Sequence, residues 1–331
     1  MLARRRTCVI RDASHHLPGC TFHPRLQFLA EPNHPSRFIA ILVVQIFVGP
    51  SIREERMDRT EKLLSGLSIE GKLGLEIGAL SRPIIKVSEH KVIYADHANT
   101  EVLREKYRND PNIVIDDIVE VTAVLDNCTL EEAVGTKVDY VVASHVVEHV
   151  PNLIGWLNEL TAILNEDGEI RLIVPDKRFT FDYLRAKTRL VDVLYADLEK
   201  ARWPQAHIAM DHILNRTTLD VGQAWRSEID PWQLKRCHTL EDAQRLARQI
   251  LDSGGYHDVH CWVFTPHSMA VLFVELIDHR LIELECVNFH DTAPDTFEFF
   301  VGLKHTKDLV KARQSWLSMA EAAKHVETQV R

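Results

Sequence analysis

From Lys72 onward the chain keeps returning to one arrangement: a short run rich in β-branched and apolar residues, then a helical or loop segment, then another such run. The runs are KLGLEI, KVIYA, IVEVTAVL, VDYVVA and EIRLIV; between them stand TEVLREKYRN, TLEEAVG and PNLIGWLNELTAILNE. That alternation argues for a parallel sheet covered on both faces. The last spacer has Pro151 at a helix start and Leu153, Trp156, Leu157, Leu160, Ile163 and Leu164 on one stripe, so it packs on the sheet. After Pro175 the period is helical through FDYLRAKTRLVDVLYADLEKARW, irregular around Trp225 and Trp232, and helical again through TLEDAQRLARQILDSGG. Two β-rich runs, LIELECVNFHD and TFEFFVGLKH, then form an antiparallel pair across TAPD, and a charged helix closes the chain.

The expected architecture is therefore α/β: a Rossmann-like, doubly wound, mostly parallel seven-stranded sheet with an antiparallel C-terminal strand pair and a helical cap insertion. Its parts are a first core segment at 57–178, the cap at 179–255, the core completion at 256–305 and the C-terminal helix at 306–331. Residues 1–56 show no helical or strand period and read as an N-terminal extension, disordered or not native. The apolar run FIAILVVQIFVG from Phe38 stops at Gly49-Pro50, short of the about 18 residues a spanning helix needs. No small-residue cleavage site marks it as a signal peptide. MDRTEKLLSGL begins an ordinary helix, and a chain starting at Met57 is expected to fold and keep its ligand affinity.

With 331 residues, 45% of them hydrophobic, there is ample material for a core. A formal net charge of −9 supplies no broad basic field, which argues against tight non-specific binding to nucleic acid or anionic membrane. The six cysteines are scattered without a C-x-x-C pair, the usage of a reduced, cytoplasmic protein rather than a disulfide or zinc framework.

Three stretches carry a resemblance: GLEIGALSRP after the first strand, IYADH after the second and DYVVASHVVEHVPNLIGWLNEL at the fourth. Together, over about Gly71 to Lys304 and omitting much of the cap, they resemble the class I S-adenosylmethionine-dependent methyltransferases. EIGALSRP, SHVVEHVPNLIGW and VPDKRFTFDYLR further look like a bacterial branch often found near glycan biosynthesis. The resemblance implies S-adenosylmethionine as cofactor and a small-molecule or glycan acceptor methylated on oxygen or nitrogen, with neither nucleic acid nor stable membrane insertion involved. A degenerate binding or regulatory domain of the same fold is the alternative.

In such a sheet the ligand sits at the carboxyl ends of the strands near the switch in strand order, where Glu76, Gly78 and Ala79 fall. Asp96, with His97 beside it, ends the second strand where its carboxylate can accept both ribose hydroxyls. Arg82 offers a guanidinium to the methionyl carboxylate, and Ser144 and His145 border that part of the cofactor. Thr122 holds the position where the family places an acid for adenine, with Asp116 and Asp117 before it. EIGALSR keeps only the first of the family's three loop glycines. Because adenosylmethionine has no phosphate, that loss weakens a dinucleotide reading more, and GKLGLEIG lacks G-x-G-x-x-G spacing. Ala79 to His90, with Pro83 inside it, is too short for a crossover helix and is expected as a loop or single turn.

SHVVEHV also contains the His-x-x-Glu-His spacing of one class of zinc peptidases. That chemistry needs both histidines on one helix face. Here strand Val138–Ala143 ends and Pro151 opens a helix, so His145 to His149 occupies a turn, and no metal site is assigned; the resemblance leaves a Mg²⁺-like ion as the lesser alternative, for which His145 is a poor ligand. Glu148 and His149 are instead the candidate catalytic pair, with His149 the better base because imidazole titrates near working pH. Asp176, Lys177, Asp211, His212, His260 and His267 are further polar residues that could face an acceptor.

Overall fold

The computed structural model describes residues 25–30, 38–43, 57–126 and 128–329, with side chains over 57–323 apart from 127. Cys8, Cys20 and the arginines at 4–6 lie outside the described residues. The N-terminal segment corrects one expectation. Where no strand period was read, β1 (Arg25–Ala30) and β2 (Phe38–Val43) pair antiparallel, the second strand being the start of the apolar run. No helix among the described residues is long and apolar enough to cross a membrane.

Residues 57–331 form a second compact unit. It begins with α1 (Arg59–Leu64), opened by a reciprocal cap between Asp58 and Glu61. There follow β3 (Leu73–Ile77), β4 (Lys91–Asp96), α2 (Thr100–Lys106), β5 (Ala123–Val124), α3 (Leu130–Val134), β6 (Val138–Ser144), α4 (Leu153–Ile163) and β7 (Leu164–Pro175). Four helices succeed them: α5 (Leu190–Leu198), α6 (Ala206–Asn215), α7 (Val221–Trp225) and α8 (Leu240–Ser253). The chain ends through α9 (Pro266–Asp278), β8 (Leu284–His290), β9 (Glu298–His305) and α10 (Leu309–Gln329).

The seven strands lie in the order β5-β4-β3-β6-β7-β9-β8. Strands β3 to β7 are mutually parallel, and β9 runs antiparallel to both β7 and β8. This is the expected Rossmann-like α/β sheet. The chain works outward from β3 through β4 to β5, then crosses back to β6, so the order reverses between β3 and β6. Ile77 pairs with both Ala95 and Ala143, which brings the carboxyl ends of β3, β4 and β6 level at that reversal.

The packing explains why the elements form. Val138 and Tyr140 to Ala143 are all buried in β6, as a central strand covered on both faces requires. Leu153, Leu157, Leu160 and Ile163 give α4 its buried stripe. Helix α9 was not read from sequence because PHSMAVLFVELID is apolar nearly all round and shows no clean 3.6 period; it is buried along most of its length. Ala209, Ile250 and Val259 make a small core of their own beneath α6 and α8. Cys128, Cys237, Cys261 and Cys286 are free thiols.

Three boundaries differ from expectation for local reasons. Of IVEVTAVL, only Ala123–Val124 is strand, because the amides before it are spent elsewhere: Val119 N donates to Leu80 O and Val121 N to Thr100 Oγ1. Helix α4 is capped by Asn152 accepting from Gly155 N, which leaves Pro151 outside, and it yields to β7 at Leu164. Residues 181–188 are not helical; Asp182 and Arg185 turn inward there as a buried ion pair. The loop from Ala79 to His90 contains no helix, as its length required.

Candidate functional site

At the reversal in strand order, Gly78 N donates to Ala95 O at 2.9 Å and ties the end of β3 to that of β4. Gly78 adopts φ +72, and a Cβ there would stand 3.0 Å from Val146 Cγ2. Glycine alone accommodates both that backbone and that close approach at no cost. Ala79 is buried behind it. Glu76 is also buried, and its carboxylate accepts Ile84 N and Ile85 N, each at 2.8 Å. Burial raises its pKa, and those two amides pull the other way. Glu76 thus clamps the loop after β3, and both oxygens are occupied.

Asp96 ends β4 with 7% of its surface exposed. Its Oδ1 accepts His97 N at 2.7 Å and meets His97 Nδ1 at 2.5 Å, while its Oδ2 makes no hydrogen bond among the described residues. That oxygen fits a ribose hydroxyl, and the close passage at Gly78 leaves backbone available beside it. His97 stacks on Tyr256 with ring centroids 4.7 Å apart. Arg82 is exposed and donates to Asn112 O at 3.4 Å. The guanidinium at the end of β6 belongs instead to Arg59, which donates to Ser144 Oγ at 2.7 Å and to Glu298 Oε1 at 2.8 Å. Thr122 precedes β5, so it cannot be the residue at that strand's carboxyl end. The acid that follows that strand is Asp126, two residues past its end.

Beyond β6 the chain bends at His145, φ +54, and closes a turn in which His149 N donates to Val146 O at 2.9 Å. The His-x-x-Glu-His residues therefore lie on a turn and not on a helix, as the sequence context required. His145 Nε2 meets Glu298 Oε2 at 2.8 Å, and its Nδ1 is 3.6 Å from Glu148 Oε1. Glu148 is fully buried, and neither carboxylate oxygen has a hydrogen bond among the described residues. His149 Nε2 lies 3.9 Å from Glu148 Oε1, while its Nδ1 faces Asp258 Oδ1 at 3.1 Å in a poorly aligned contact. Burial alone would lower the His149 pKa, but Asp258, Glu148 and Asp182 outweigh it and raise it above 6.5.

His260 completes the group. Its Nδ1 meets Asp182 Oδ2 at 2.5 Å, and its ring stands edge-on to His149 with centroids 4.6 Å apart. Burial opposes ionisation of Asp182, yet the His260 bond and charge and then Arg185 hold it below the carboxylate range. His145, Glu148, His149 and His260 line a cavity of about 230 Å³ whose other walls include Phe179, Phe181 and Phe297. Enclosed ligand pockets typically run about 300–1,000 Å³, so this one suits a small reacting group rather than a whole large ligand.

The segment from Tyr256 to Trp262 joins the two regions. Tyr256 covers His97, Asp258 faces His149, and both Cys261 N and Trp262 N donate to Glu148 O, at 2.6 and 3.1 Å. The other polar candidates are committed elsewhere. Asp176 is held by Arg178 and Thr292, Lys177 Nζ by Tyr183 O, and Asp211 by Arg185. His212 is buried, and desolvation first, then Arg185 and His260, push its pKa down to about 3.

Glu298 gives a pH prediction. Burial would raise its pKa, but the bonds from His145 and Arg59 bring it down to about 2, from an ordinary 4.5. A depressed carboxylate stabilises the fold above its unfolded pKa and loses that contribution as pH falls toward the folded value. Wild type should therefore exceed Glu298→Gln in denaturant stability above pH 4.5. The gap should close between pH 4.5 and about 2, as followed by urea melts across that range. A gap independent of pH would remove the ionised Glu298 from this network.

A family model described as a methyltransferase domain matches residues 52–284. The chain belongs to this methyltransferase family. S-adenosylmethionine is the methyltransferase's cofactor. Among solved structures, the CcbJ methyltransferase from Streptomyces caelestis is 12% identical, with 75% of this chain and 94% of that one covered at a TM-score of 0.36. An S-adenosylmethionine-dependent methyltransferase from Clostridium acetobutylicum is 9% identical, with 70% and 83% covered and a TM-score of 0.35. A protein from Rhodobacter sphaeroides described as a zinc-dependent alcohol dehydrogenase is 12% identical, with 75% and 89% covered and a TM-score of 0.42. None of these three likenesses carries an argument about the methyltransferase's acceptor. No curated protein matches the sequence.

Proposed function

We propose that the protein transfers a methyl group from S-adenosylmethionine to a hydroxyl or amine of a small-molecule or glycan-related acceptor that enters the His149 cavity. One observation carries the reading: a cavity lined by three histidines and a carboxylate opens directly beyond β6, whose end is level with those of the strands bearing Gly78 and Asp96.

The bound cofactor supplies a methyl on a sulfonium, which an acceptor lone pair displaces in line with the breaking carbon–sulfur bond. The protein positions that lone pair and receives the proton. Asp96 holds the ribose and Gly78 passes close beside it. The aromatic walls exclude water and orient the acceptor. His149 takes the acceptor's proton at Nε2, and the Glu148 carboxylate stabilises the imidazolium that results.

Asp96→Ala should weaken S-adenosylmethionine binding by about 1.5–3 kcal/mol, the range for hydrogen bonds to a charged group. A calorimetric titration unchanged by that mutation would remove Asp96 from the site. Incubation with S-adenosylmethionine and a panel of small hydroxyl- and amine-bearing acceptors, sugars included, should release S-adenosylhomocysteine and leave one acceptor a methyl group heavier by mass spectrometry. Tight cofactor binding with no acceptor methylated anywhere in the panel would favour the non-catalytic alternative.

A further inference from the structure

Glu148, His149 and His260 are placed as a metal-binding set, and we propose that they bind one divalent first-row transition-metal ion, zinc-like in its preferences, in the wall of the acceptor cavity. One ligand-capable atom from each residue lies within 4.8 Å of the others. Glu148 in particular calls for a cation. It is fully buried and neither oxygen has a hydrogen bond among the described residues, an arrangement that is costly unless a cation compensates it. The histidine nitrogens nearest its Oε1 stand 3.6 and 3.9 Å away, too far to donate a hydrogen bond.

His260 has a carboxylate bonded at Nδ1, Asp182 at 2.5 Å, and Asp258 stands behind His149 Nδ1 at 3.1 Å, in a contact that is poorly aligned. A carboxylate behind a ligand histidine fixes its tautomer and turns the Nε2 lone pair outward, the arrangement that orients metal-binding histidines generally. Two imidazoles and one carboxylate suit zinc, iron, cobalt or manganese better than magnesium or calcium, which prefer all-oxygen sets. Three protein ligands leave a position open for water or an acceptor oxygen. Ligand atoms around tetrahedral zinc stand about 3.4 Å apart, so the side chains must draw together on binding. His145 is outside the set because Glu298 holds its Nε2.

The ion site rests on this geometry alone; its role in catalysis rests on the methyl-transfer reading. An ion there would hold the acceptor oxygen and make its proton more acidic, and His149 would then serve as a ligand, with that proton passing to solvent water instead of to His149 Nε2. Protein stripped with a chelator and titrated calorimetrically with Zn²⁺ is expected to bind one equivalent. His260→Ala and Glu148→Gln should weaken that binding at least about 100-fold, and Asp182→Asn about 10–100-fold, while His145→Ala retains it. Circular dichroism and urea melts of the same samples report whether each variant is folded, and a cofactor titration is run beside them. Absence of stoichiometric uptake by protein that still binds S-adenosylmethionine overturns the metal site and leaves methyl transfer standing. Uptake that survives His260→Ala overturns the ligand assignment. Stoichiometric uptake by folded protein that binds no S-adenosylmethionine supports the ion site and overturns the methyl-transfer reading.

Discussion

Replacing His149 with alanine is expected to slow methyl transfer by about 10²–10⁴-fold, the usual worth of a positioned general base, while leaving cofactor affinity nearly unchanged. The separation follows from position. His149 lines the proposed acceptor cavity and contacts Glu148 and Asp258, whereas the oxygen proposed to take the cofactor's ribose is on Asp96, at the end of a different strand. The effect keeps its sign if the histidine holds an ion, since losing one of three protein ligands removes the activated acceptor. Single-turnover rates beside a calorimetric cofactor titration make the test. A rate within a few-fold of wild type would demote His149 to packing, and a parallel loss of cofactor affinity would place it at the cofactor edge.

Trp262→Ala should cost about 3–5 kcal/mol of folding stability, the range for truncating a large buried aromatic side chain. The indole is 1% exposed, and its Nε1 donates to Val150 O at 2.7 Å. With the backbone bonds from residues 261 and 262 to Glu148 O, it fastens the 256–262 segment to the turn that carries Glu148 and His149, the proposed catalytic pair. The mutation should therefore also lower turnover in the fraction that remains folded, because Asp258 and His260 both ride on that segment. Urea unfolding that shows a loss below about 1 kcal/mol would mean the segment is held by other contacts.

The sheet was legible in the sequence because its central strands are buried on both faces and so announce themselves as unbroken apolar runs. The turn at His145 to His149 was legible for a related reason: an apolar strand ended on one side and a helix opened on the other. What the sequence concealed depends on contacts between residues distant in the chain. Nothing local reveals that Glu76 would spend both oxygens on Ile84 and Ile85, or that Arg59 rather than Arg82 would reach Ser144. His260 was one of 18 histidines, and only the fold brings Asp182 behind it and His149 in front of it. The start of β5 was hidden for the same reason, because amides engaged by Leu80 and Thr100 shorten it to two residues.

The most direct test of the central claim is a crystal structure of the protein with S-adenosylhomocysteine. The expected density lies across the carboxyl ends of β3, β4 and β6, with ribose hydroxyls on Asp96, backbone at Gly78 against the ligand, and sulfur directed toward the cavity of His149 and Glu148. Ligand density elsewhere on the chain, or a sulfur facing away from that cavity, would contradict the assignment of the cluster as the methyl-transfer site.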